Sequence, residues 1–170
     1  VLSASDQFKK NDIELNLLQE YFLNIGMGKS STSGHEGYGL NYLMKNKDLI
    51  IMNKKNQISH AKKIALQMYD NGYTKPIQRN DIKVLGQQAL GAFYVGADSM
   101  LVGGYISDHD KKIAKKISNI LAGGNLSQST LVSEQYLLDL EREAFLSLCG
   151  ERKTLERIQF MLKNGKPLRN

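Results

Sequence analysis

Apolar residues recur at intervals of three and four along almost the whole chain, and glycine closes most of the runs. A helix of 3.6 residues per turn puts such positions on one face, which must then be buried against something else. Residues 12–25 carry Leu15, Leu18, Phe22 and Ile25 at spacings of 3, 4 and 3. Ser33 followed by Glu36 has the form of a capping box and starts a short helix to about Leu43. Ile58, Ala61, Ala65, Met68 and Tyr69 form the next stripe, which Asn71-Gly72 stops. Residues 84–101 carry Leu85, Ala89, Phe93 and Ala97, interrupted by Gly86, Gly91 and Gly96, which the pattern assigns to a close helix contact or a break. Ser107 begins a helix with an acidic first turn and a stripe of Ile113, Ile117, Ile120 and Leu121, ended by Gly123-Gly124. Ser133 caps the strongest run, with Tyr136, Leu137, Leu140, Ala144, Phe145 and Leu148 inside and Gly150 at its end. Thr154 starts the last, with Leu155, Ile158, Met161 and Leu162 on its apolar side and Gly165 as stop. These spacings predict an all-α module of six to seven helices. At most one short strand is expected, at Leu49-Ile50-Ile51-Met52 between two turn-forming segments. Residues 73–82 contain Pro76 and no period, and are the candidate internal boundary of a single 1–170 module.

Composition narrows the class. The 170 residues fit one globular domain, and a single cysteine, Cys149, excludes an intramolecular disulfide and suits a reducing compartment. The longest apolar stretches fall far short of a bilayer span and no signal pattern opens the chain, so the expectation is a soluble, cytoplasmic protein with no membrane span. The first residue is valine, which reads as a processed chain or a piece of a longer one. The net charge of +6 divides evenly between residues 1–104 and 105–170. Eighteen of the 23 basic residues are lysine, whereas base and phosphate readout favours arginine, so nucleic acid is not an expected partner.

The familiar chemical motifs are absent or incomplete. Gly28-Lys29-Ser30 has Leu23 where a phosphate-binding loop needs glycine. Neither Gly26-Met27-Gly28 nor Gly103-Gly104 has the strand, helix and third glycine of a dinucleotide fingerprint. Asp108-His109-Asp110 reads as dipole-complementing acids at a helix start, and His35 and His60 lack partners at ligand spacing. Cys149, near a helix C-terminus, reads as a buried inert thiol. Glu134 and Glu141 share a helical face but alternate with solvated positions, so surface charge is the expectation for them and Glu143. No catalytic residue and no metal ligand is assigned.

Three separated segments carry a family resemblance. Glu134-Gln135-Tyr136-Leu137-Leu138-Asp139-Leu140-Glu141-Arg142-Glu143-Ala144-Phe145-Leu146-Ser147-Leu148-Cys149-Gly150, followed by Thr154 to Arg157 and the final Gly165-Lys166-Pro167-Leu168-Arg169-Asn170, resembles the end of bacterial bifunctional 3-hydroxyacyl-CoA dehydrogenases bearing a crotonase-like enoyl-CoA hydratase domain. Ile25-Gly26-Met27-Gly28-Lys29-Ser30-Ser31-Thr32-Ser33-Gly34 resembles the segment following the hydratase core, and Gly103-Gly104-Tyr105-Ile106-Ser107-Asp108-His109-Asp110 is similar to a helical insertion. The resemblance implies the C-terminal helical region of a fatty-acid β-oxidation enzyme, with Asn170 as natural end. The family's catalytic glutamates, oxyanion hole, nucleotide-binding region and catalytic histidine precede this part. The fragment alone is therefore expected to be inactive and to bind no cofactor, whereas the parent uses NAD.

In simple crotonases the last helix runs into an aromatic- and lysine-rich segment that lines the acyl-CoA pocket. Phe160-Met161-Leu162-Lys163-Asn164-Gly165-Lys166-Pro167 is similar, with one extra residue, so Phe160 or Met161 takes the aromatic's place. The resemblance makes Phe160, Lys163 and Lys166 the candidate CoA-binding residues. The two lysines equally suit a helix C-terminus as dipole partners. Expected partners are upstream domains of the parent, the acyl-CoA substrate and a second copy, joined through apolar surface left open. A different class also fits: a free-standing all-α interaction module, binding a protein through the Gly86, Gly91 and Gly96 helix.

Overall fold

A computed structural model describes residues 1–10 and 13–170. In chain order its elements are α1 (Leu2–Gln7), α2 (Glu14–Gly26), α3 (Gly34–Gly39), a 3-10 turn (Lys54–Asn56), α4 (Gln57–Asp70), β1 (Ile82–Val84), α5 (Gln87–Val102), α6 (Asp108–Ala122), β2 (Thr130–Val132), α7 (Glu134–Cys149) and α8 (Arg152–Asn164). The all-α expectation holds, with α1 as the helix that the spacing does not announce. The chain divides into two compact units, Val1–Gly28 with Gln78–Asn170, and Lys29–Ile77.

In the first unit, α5 and α6 pack most extensively, and α2 lies against both. Leu18 and Phe22 of α2 meet Ala89, Phe93 and Ala97 of α5 and Leu121 of α6 in the main core. The Phe22 and Phe93 rings stack with centroids 4.9 Å apart, the offset arrangement that adds to their burial. Asp12, where the spacing starts the second helix, lies outside the described residues, and α2 begins at Glu14.

The strand expectation is corrected. Residues 49–52 are irregular, with Leu49 and Met52 exposed, because four apolar residues between turns find no strand to pair with. The strands are β1 and β2, an antiparallel pair in register Ile82 to Val132 and Val84 to Thr130. β1 lies at the end of the segment read as loop. Its Ile82 and Val84 are fully buried beside Leu137, so alternation over three residues builds a second small core.

Two glycines fix how β1 feeds α5. Gly86 has φ +62°, and a Cβ there would lie 2.4 Å from the Leu126 carbonyl oxygen. Its N–H donates to Ala122, and the Gln87 N–H donates to Leu126. Gly123 ends α6 in the left-handed region, at φ +80°, where a Cβ would fall 2.5 Å from Val84. Glycine is required at both positions by conformation and by space. Gly91 and Gly96 have open space beside them. Gly86, Gly91 and Gly96 therefore do not form one packing stripe: the first is a turn residue, and the other two stand about 140° apart around α5.

In the second unit, the Ser33 hydroxyl accepts the Glu36 N–H and caps α3. The Glu36 carboxylate takes the N–H and hydroxyl of Thr32 rather than completing the reciprocal box, which holds its carboxyl below the ordinary value. The Asp48 carboxylate accepts the Met44 N–H. Nothing in α4 is buried, so its expected core stripe lies open. This unit holds eight lysines, no arginine and three acids, a net +5 of the chain's +6. The even division at residue 104 conceals that asymmetry.

Candidate functional site

The N-terminal end of α6 holds the N-cap and first half of α8 through three side-chain pairs. Ser107 and Asp110 form a full capping box, the Ser107 hydroxyl accepting from Asp110 N–H and the Asp110 Oδ2 accepting from Ser107 N–H. The other oxygen of Asp110 accepts from Arg157 Nη1 at 2.6 Å, both side chains being largely buried. His109, also buried, meets the Thr154 hydroxyl through Nε2 at 3.0 Å, and Lys112 Nζ pairs with Glu151 at 2.8 Å. The helix-start reading of Asp108-His109-Asp110 thus covers Asp110 only in part, since one carboxylate both caps its own helix and pins another.

Arg157 spends its other donors mainly on the chain's last residue, Nη2 also reaching the Ser107 hydroxyl at 3.5 Å. Its Nε donates to Asn170 Oδ1 at 2.9 Å and its Nη2 to the Asn170 carbonyl at 3.2 Å, while Asn170 Nδ2 donates to Glu156 at 2.8 Å. Burial works to raise the Asp110 carboxyl, but the Ser107 amide, the Arg157 guanidinium and the Ser107 hydroxyl together hold it below the ordinary value. Burial, and after it the Arg157 charge, lowers the His109 imidazole.

Beside this knot lies a cavity of about 100 Å³ between α2, α5 and α6, walled by Phe22, Met27, Met100 and Ile113 and also lined by Asp110, Arg157 and Arg169. It is a small apolar chamber in which the Arg157 charge is already matched by Asp110, which leaves Arg169 as the cationic group of its lining with no ion pair among the described residues. Of the residues expected to hold CoA, Phe160 and Lys163 share an open concavity with Glu156 and Leu168. Lys166 follows the left-handed Gly165 in the exposed tail and lines neither hollow. Arg157 and Arg169 lie within the segments that carry the family resemblance, but the sequence assigned them no binding role. Their signal was weak, since an arginine at one helix face and another near the end have no spacing that marks a pair.

The remaining candidates stay apart. Glu134 is tied to Arg79, whose N–H it accepts at 3.4 Å, and Glu141 and Glu143 are exposed. Cys149 is a free thiol and half-buried rather than buried. Phe145, expected inside α7, is exposed. Among the described residues no cluster of three or more His, Cys, Asp or Glu is placed to hold a metal ion, and no helix is long and apolar enough to cross a membrane. Gly26 and Gly28 stand at the C-terminal end of α2 and Gly103-Gly104 follow α5, so neither forms the strand-to-helix turn that cradles a dinucleotide.

No family model matches the chain, and no solved structure matches it. Over 156 residues, 92% of its length, the chain is 44% identical to a probable 3-hydroxyacyl-CoA dehydrogenase of Bacillus subtilis (strain 168). It spans 20% of that protein's length. The likeness is thus to one segment of a protein named as a probable 3-hydroxyacyl-CoA dehydrogenase, not to the whole of it.

Proposed function

We propose that the chain serves as the helical C-terminal region of a β-oxidation enzyme combining NAD-dependent 3-hydroxyacyl-CoA dehydrogenase and enoyl-CoA hydratase activities. In that setting it covers the hydratase site, contributes to subunit contacts and helps hold the CoA thioester. The observation that carries this reading is the 44% identity, over nearly the whole chain, to one fifth of a protein named as a probable 3-hydroxyacyl-CoA dehydrogenase. The apolar chamber beside Arg157 and Arg169 suits an acyl or pantetheine chain, and Lys163, beside Phe160, suits a phosphate as a compact point charge. In this reading Lys166, exposed beyond the Gly165 stop, is a second candidate phosphate contact. In this reading NAD belongs to the rest of the enzyme, since neither glycine pair here forms the strand-to-helix turn of a dinucleotide site.

The reading is tested by assaying the chain alone with 3-hydroxybutyryl-CoA and NAD, and with crotonyl-CoA. Neither NADH formation nor loss of the enoyl thioester is expected, and turnover in either assay overturns it.

A further inference from the structure

The second unit, Lys29–Ile77, presents a cationic and apolar surface that nothing in the functional reading uses. Its eight lysines face three acids, two of which are spent internally: Glu36 on Thr32 and Asp48 on the Met44 N–H. Among the described residues none of the eight lysines is ion-paired. The positive charge is therefore unneutralised where it stands. Within this unit α4 is amphipathic, with Ile58, Ala61, Ile64, Ala65, Met68 and Tyr69 on an arc of about 140°. Lys62 borders that arc, and Lys54 and Lys55 precede the helix. The arc is not packed away: Ile58 is 85% exposed and Tyr69 80%.

From these observations we infer that α4 and the lysines around it dock on an anionic lipid surface, with the apolar arc entering the headgroup boundary and the lysines meeting phosphates. Charge rules out a second copy of this unit as the occupant, since +5 then faces +5. The absence of arginine weighs against a carboxylate-lined protein partner. All five arginines lie in the other unit, and bidentate carboxylate pairing is an arginine property, whereas lysine point charges serve a diffuse field of headgroups. A helix with an open apolar face and lysines at its border has the form of an in-plane interfacial element. The inference goes beyond the CoA reading and does not depend on it.

The test is co-sedimentation of the full chain with vesicles of phosphatidylcholine alone, and of phosphatidylcholine and phosphatidylglycerol in equal parts. Binding to the anionic vesicles only, falling as salt rises, is expected. Each lysine near the surface is worth roughly fivefold in partitioning. The variant K54Q/K55Q/K62Q should therefore lose up to about a hundredfold, and I58S/Y69S should also weaken binding. K9Q/K153Q, outside the unit, should change little. None of these side chains loses an ion pair in the substitution, and unchanged helix content by circular dichroism checks the fold. Equal binding to neutral vesicles, or none to either, overturns the inference. So does capture by poly-glutamate without binding to vesicles, which would assign the face to an acidic protein.

Discussion

Arg157→Met removes the one side chain that joins α6, α8 and Asn170. The guanidinium and the Asp110 carboxylate are 16% and 19% exposed and 2.6 Å apart. Breaking a fully buried pair by deleting one partner costs about 3–5 kcal/mol, because the other charge is left desolvated. Here water reaches both groups, and methionine keeps most of the apolar stem, so about 2–3 kcal/mol is expected. For a protein of this size that lowers Tm by roughly 4–10 °C. Asp110→Asn should be less costly, since asparagine still accepts the Ser107 N–H. The double variant should recover part of the loss, with a coupling of about 1–3 kcal/mol, because neither charge is then stranded. Thermal unfolding by circular dichroism gives the three values, and amide hydrogen exchange along α8 shows whether that helix is what loosens. The carboxyl value of Asp110 is depressed in the folded chain, so the pair's contribution is complete above the ordinary 3.8 and is lost as pH falls through the depressed value. A Tm unchanged within about 1 °C in Arg157→Met, or strictly additive single variants, would refute this account of the knot.

Gly123→Ala places a methyl 2.5 Å from Val84 at φ +80° and should cost more than about 3 kcal/mol by urea titration, whereas Gly91→Ala, with open space inside α5, should stabilise by about 0.5–1 kcal/mol. His109 titrates below its ordinary 6.5 in the folded chain, so the unfolded chain takes up the proton first and stability should decline as pH falls through 6.5. His109→Gln, which keeps a hydrogen-bonding group facing Thr154, should flatten that slope in unfolding curves measured across this range; an unchanged slope would show that another group titrates.

Helix existence was legible because 3.6-residue periodicity and stop glycines act locally: Gly72, Gly123 and Gly165 all adopt the left-handed conformation at or just beyond a helix end. What periodicity cannot say is which stripe finds a partner. The stripes of α6 and α4 read alike, yet Leu121 is buried and Ile113, Ile117 and Ile120 are half-buried while Ile58 and Tyr69 are open. The strands were misplaced for a related reason. Residues 49–52 look more strand-like than 82–84, but a strand is made by its partner, and Thr130–Val132 stands 46 residues beyond Val84. The chamber beside Arg157 was hidden as well, because its lining comes from α2, α5, α6, α8 and the tail, segments with no common spacing. The candidate residues on α8 came from family resemblance alone, and the fold brings Phe160 and Lys163 to one concavity while leaving Lys166 in the tail.

The reading of the chain as a CoA-holding helical region is tested most directly by calorimetric titration of crotonyl-CoA into the chain and into Lys163→Gln and Lys166→Gln. Both lysines are exposed, so each substitution should leave Tm unchanged and weaken saturable binding by about two- to fivefold. Binding of equal strength in all three proteins, or no binding by the unaltered chain, would contradict it.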